Sequence, residues 1–136
     1  MSEIQTYKLL AGNGQYIVEA VVIKCGTDLA VTIAGGEAYH IGASALATPR
    51  PSLTGEDKIS ASASVICAVG HKEDLLARQA ALDLASEFNC RVNVTVGLHI
   101  DHATAADINE LEINYKEVLK EIQQIIRTSN QSSPLN

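Results

Sequence analysis

Residues 59–68 read Ile59-Ser60-Ala61-Ser62-Ala63-Ser64-Val65-Ile66-Cys67-Ala68, with small hydroxyls alternating against Ala and Val. A period of two places successive side chains on opposite faces of a sheet, so this stretch predicts a strand with one face of serines. The segment before it, Ile41-Gly42-Ala43-Ser44-Ala45-Leu46-Ala47, is nearly as small, and a polar connection rich in Pro and Gly (residues 48–57) separates the two. Paired, the two strands make a floor of Ala, Ser and Gly that needs a broad cover. Either a closely packed helix or a flat ligand would serve, and the helix is the commoner arrangement.

Upstream, the chain reads as further strands with short connections: Thr6 to Ala11, a Gly12-Asn13-Gly14 turn, Gln15 to Cys25, a Gly26-Thr27-Asp28 turn, and Leu29 to Ala34. Five strands in a meander are expected over this half. From Lys72 to Phe88 the period changes, with Leu76, Ala77, Ala80, Ala81, Leu84, Ala85 and Phe88 at helical spacing. Arg91 to Ile100 returns to strand character, Val92, Val94, Val96 and Leu98 alternating with Asn93, Thr95, Gly97 and His99. Thr104 and Asp107 have the spacing of a capping box. Behind them Ile108, Leu111, Tyr115, Val118, Ile122 and Ile125 step as an a/d seam, which packs either on its own sheet or on another subunit. These elements predict a two-layer α+β domain over residues 1–127, with a mainly antiparallel sheet of five to six strands and two helices late in the chain. Thr128 to Asn136, rich in Ser, Asn and Gln, is expected to be a disordered tail.

Composition narrows the function classes. The chain has 136 residues, 46% hydrophobic and 19% charged, with formal net charge −6. Clustered Lys and Arg are absent, and with one Phe and no Trp there is no stacking platform, so a nucleic-acid partner is not expected. No apolar run reaches the ~20 residues that cross a bilayer. Cys25, Cys67 and Cys90 are odd in number and form no CxxC pair, which fits a reducing, cytoplasmic setting without a zinc knuckle. An uncovered small-residue face or an exposed seam would favour a homo-oligomer, at least a dimer.

Several residue groups suit chemistry. His99 and Asp101-His102 stand between a strand and a helix, where ligand crevices occur, and His40 precedes the small-residue strand. Three imidazoles with a carboxylate would suit a metal-dependent hydrolase, although their spacing matches no familiar metal pattern. Gly70-His71-Lys72 opens a helix, where unpaired N–H groups attract anions, while Glu73 and Asp74 oppose an anion there. Arg50, between Pro49 and Pro51, is placed as an anion clamp or as an ordinary loop residue. No nucleophile–base order typical of acyl transfer is present.

Five ordered motifs, Gly35-Gly36 through His40-Ile41-Gly42-Ala43, Pro49-Arg50-Pro51-Ser52-Leu53, Ile59 to Ser64, Gly70-His71-Lys72-Glu73-Asp74 and Gly97-Leu98-His99-Ile100-Asp101, resemble a known family. It is that of the small D subunit of Lpd-type hydroxybenzoate and gallate decarboxylases, the LpdD-like prenylated-flavin chaperone domains. The resemblance covers roughly residues 30–112. It implies an accessory protein that binds or delivers prenylated FMN, or FMN, as cargo for a UbiD-type aromatic acid decarboxylase, with no chemistry of its own. A structural decarboxylase subunit that binds no flavin is a further alternative. Under the resemblance, residue type assigns the phosphate to Gly70, His71, Lys72 and Arg50, with Gly42, Ser52, Ser60 and Ser62 beside the ring system. His40, His99 and Asp101 fall at its polar edge.

Overall fold

A computed structural model describes residues 3–55, 57–68, 70 and 73–131, and among these described residues the chain forms six strands and two α-helices. Strands β1 (Ile4–Ala11), β2 (Val18–Cys25) and β3 (Asp28–Gly36) form an antiparallel meander, with a 3-10 turn at Gly14–Tyr16. Strands β4 (Ala43–Pro51) and β5 (Ile59–Cys67) pair as a hairpin. Helix α1 (Asp74–Phe88), strand β6 (Val92–His99) and helix α2 (Ala105–Gln131) follow. The α+β class, the mostly antiparallel sheet and the two late helices are as expected.

The neighbour order differs from a five-strand meander. The sheet runs β1-β2-β3-β6-β4-β5, so β6 is inserted between the two hairpin units, parallel to β3 and antiparallel to β4. The inward side chains of β6, Val92, Val94 and Val96, have no exposed surface at all. An edge position would leave part of such a strand in water, and central placement buries it.

Both helices cover one face. Helix α1 lies on β4, β5 and β6, and the surfaces that meet are mostly alanine: Ala77, Ala80, Ala81 and Ala85 against Ala43, Ala45 and Ala47. The cover of the small-residue floor is therefore a helix. The serines of β5 and Ser44, Leu46, Thr48 and Arg50 of β4 alternate to the opposite, open face.

Helix α2 lies on β1 and β2, so its stripe packs on its own sheet. The buried positions are Leu111, Tyr115, Val118, Ile122 and Ile126, whereas Ile108 is about half exposed. Ile126 replaces the expected Ile125 because a straight α-helix drifts about 20° per heptad away from a strict 3.5 repeat. Its start is a capping box, with the Asp107 amide donating to Thr104 Oγ1 (3.1 Å) and the Thr104 amide to Asp107 Oδ2 (2.9 Å). Its end runs to Gln131 and takes in residues assigned above to the tail. Lys24 Nζ donates to Ser129 Oγ (3.1 Å) and Asn130 Oδ1 (3.0 Å), and Tyr7 hydrogen-bonds Ser129 (3.0 Å). These anchors on β1 and β2 hold polar residues in a helix that their own propensity would not sustain.

Candidate functional site

The insertion of β6 imposes a crossing. To reach β4 from β3, residues 37–42 pass over the end of β6. They run so close that a Cβ on Gly97 would overlap the carbonyl of His40, and one on Gly36 (φ +86°) would overlap the carbonyl of His99. Glycine is needed here for close approach of one backbone to another. The crossing segment is tied down along its length. Glu37 N–H donates to the His99 carbonyl (2.7 Å), Glu37 Oε1 accepts from the Asp101 amide (2.8 Å), and Gly42 N–H donates to the Val96 carbonyl (2.9 Å).

Tyr39 reaches back across β3 and donates from its hydroxyl to Glu19 Oε2 on β2 (2.5 Å). Partial burial, then the Glu19 contact, push the Tyr39 phenol up to about 12, and the Tyr39 hydrogen bond holds the Glu19 carboxyl below its ordinary range. An unfolded tyrosine ionises near its ordinary value of 10.0, before the folded one does. The stability this link contributes is thus full below pH 10 and is lost as the pH rises towards 12. Its carboxylate part is lost on acidification, as the pH falls below the ordinary Glu value of 4.5 and through the lowered one. Tyr39→Phe is expected to flatten the alkaline limb of a urea-midpoint-against-pH curve over that interval. An unchanged slope would show that the link does not form.

The segment assembles a cluster of titratable groups at one end of the sheet. His40 Nε2 lies 2.9 Å from Glu73 Oε1, at the start of α1, and His99 Nε2 lies 2.8 Å from Asp101 Oδ1. The two imidazoles meet edge to face, centroids 6.0 Å apart. Gly42 lets the Glu73 carboxylate in, since a Cβ there would overlap it. Behind Glu73, between the starts of the two helices, lies a cavity of about 200 Å³ lined by Leu76, Leu98, Ile108, Leu111 and Glu112. The positive-φ turn residue Gly70 follows the end of β5, where Ala68 N–H donates to the Gly42 carbonyl (2.7 Å), so it belongs to the same end. His71 and Lys72 lie outside the described residues.

The remaining candidates are elsewhere. Arg50, Ser52, Ser60 and Ser62 sit at the far end of the β4–β5 hairpin, where Arg50 Nε donates to Ser62 Oγ (2.9 Å) and Nη1 to the Pro51 carbonyl (3.2 Å). Arg50 is seven residues along β4 from Ala43, about 24 Å in an extended strand. The shared phosphate clamp of Arg50 with the Gly70 turn is corrected by this register, because one phosphate cannot touch both. The hydrolase alternative fares no better. His102 occupies an exposed left-handed turn (φ 53°), and among the described residues no three His, Cys, Asp or Glu side chains form a metal-binding set.

Sequence reading missed three participants. Glu73 was read as an acid that suits a helix dipole and opposes an anion, and neither Glu37 nor Tyr39 was assigned a role. Their roles depend on a strand that enters the sheet later in the chain, 50 and more residues after Glu37 and Tyr39, which no local pattern records.

The site can present imidazole and carboxylate groups to the edge of a heterocycle, beside a small apolar cavity. At about 200 Å³ the cavity is below the ~300 Å³ at which whole-ligand pockets begin. A comparison with the curated proteins gives no match. Among solved structures, a chain of the entity described as "Crystal Structure of a Novel Chaperone Complex for Yeast 20S Proteasome Assembly" is similar in fold. Its TM-score is 0.58 at 14% identity, covering 93% of this chain and 98% of that one. The family model for the prenylated flavin chaperone LpdD-like domain matches residues 12–127, which include every strand from β2 to β6 and the whole cluster around the crossing segment. The chain belongs to the prenylated flavin chaperone LpdD-like domain family.

Proposed function

We propose that this protein binds prenylated FMN as cargo and delivers it to a UbiD-type aromatic acid decarboxylase, making and breaking no covalent bonds itself. The family match over residues 12–127 carries the reading. The cluster at the crossing segment supports it with suitable donors and acceptors. In this proposal His40, His99 and Asp101 hydrogen-bond the polar edge of the isoalloxazine, Glu73 orients His40, and the cavity beside Leu76, Leu98 and Ile108 takes the apolar edge that prenylation adds. The phosphate goes to Gly70, His71 and Lys72, which precede α1 in sequence, where a helix start and a lysine charge act together. Arg50, Ser52, Ser60 and Ser62 then have no part in binding one flavin molecule.

Flavin fluorescence during titration with FMN and with prenylated FMN tests this. Lys72→Ala is expected to weaken both by about tenfold or more, since a charged hydrogen bond contributes roughly 1.5–3 kcal/mol. Arg50→Ala should bind like the wild type. Ile108→Glu should weaken the prenylated form more than FMN. Failure of the wild type to bind either flavin would overturn the proposal in favour of a structural subunit.

A further inference from the structure

Among the described residues no helix or strand covers the face of the sheet opposite the helices, and Tyr39 alone is seen to reach across it, to Glu19 on β2. Its central strands β3, β6 and β4 present Thr32, Ala34, Thr95, Ser44 and Leu46 outward, small or apolar side chains with no charge among them. This is unusual for a chain in which 19% of residues are charged. Charge appears towards the margins, where Lys8 and Glu19 are paired at 3.5 Å and Arg50, near the end of β4, donates to Ser62 Oγ. Leu46 and Ile66 are 51% and 79% exposed on this face. A surface patch with an uncharged centre, apolar anchors and a charged rim has the composition of a protein–protein interface.

We propose that the occupant is a second copy of this chain, packed sheet to sheet as a homodimer. Size favours this. Six strands about 4.8 Å apart and eight residues long cover a footprint of roughly 800 Å², close to the ~800 Å² per partner of a stable interface. A flavin ring covers only a fraction of that. Charge favours it as well. Each copy carries a net charge of −6, and α2 alone bears five acids against three bases, so contacts through the helices bring like charges together. The open face apposes none at its centre. Small outward side chains let two sheets approach to the ~10 Å spacing of a sandwich, and the dimer encloses what would otherwise be wet threonine, alanine and leucine. The flavin reading is not needed for this interface, because the crossing-segment cluster lies at the sheet's end.

Light scattering after gel filtration tests it without any ligand. The wild type is expected to show twice the 14.4 kDa mass of one chain at micromolar concentration. Thr32→Arg and Leu46→Arg each place a charge at the centre of the face and should raise the dissociation constant about a hundredfold or more, giving monomers with unchanged circular dichroism. Both positions are exposed in the single chain, so neither change disturbs the core. Ile113→Arg, on an exposed part of α2, should remain dimeric. A monomeric wild type, a dimer that survives both face variants, or a dimer lost only in Ile113→Arg would each overturn the proposal.

Discussion

Gly97→Ala lowers stability by about 3 kcal/mol or more, at the upper end of what overpacking costs, and lowers the melting temperature by roughly 10 °C. The added methyl group points into the His40 carbonyl, and what it meets is backbone rather than the end of a flexible side chain. Either the crossing segment lifts off β6, breaking the Gly42-to-Val96 and Glu37-to-His99 hydrogen bonds, or β6 itself shifts and exposes its buried valines. Thermal unfolding followed by circular dichroism reads the loss. Nuclear magnetic resonance of the imidazoles reads its local part, because His40 and His99 lose their edge-to-face contact. A variant as stable as wild type, with unmoved imidazole resonances, would show that the segment does not cross there.

Ala45→Leu has the second large effect. Ala45 is 1% exposed and faces α1 across an alanine-on-alanine contact with no room for three more carbons. Helix α1 must move away from β4, which costs about 1–3 kcal/mol by overpacking. The displacement also reaches Glu73 at the start of that helix and so His40, so stability falls and, under the proposed function, flavin binding falls with it. A urea titration measures the first and flavin fluorescence the second. Were this floor a ligand surface instead of a helix seat, the substitution would reduce binding and leave the urea midpoint in place.

The two predictions mark the boundary of what was legible in the sequence. Alternation in Ile59 to Cys67 and Val92 to His99 identified strands, and the stripe of Ala77, Ala80, Ala81, Leu84 and Ala85 identified the helix that seats on them, because these patterns are local. The capping pair Thr104 and Asp107 was equally legible. Strand order was not. Nothing within residues 28–51 says that β3 and β4 are separated by another strand, since pairing partners are chosen across the whole chain. The site shares that limit. His40, His99 and Asp101 were visible as residue types, and Gly97 was read as a place in an alternation. That Gly97 admits His40, and that Glu73 is the imidazole's partner, follows only from the insertion of β6. The end of α2 was misjudged for a related reason, because Lys24 and Tyr7 overrule the weak helix propensity of Ser129 and Asn130.

The central position of a late strand also governs how the chain can acquire its structure. The β1–β3 meander and the β4–β5 hairpin can each form from near neighbours in sequence, but they share no edge until β6 arrives. β6 is synthesised only after both units. Until then both units expose unpaired edges and their apolar inner faces, the condition in which strands pair wrongly with other chains. Acquisition of the native sheet is therefore a single late, non-local step, of the kind that folds slowly. The strand that completes the sheet is the same one over which residues 37–42 must settle, so the cluster of His40, Glu73, His99 and Asp101 comes into being only when the whole sheet closes.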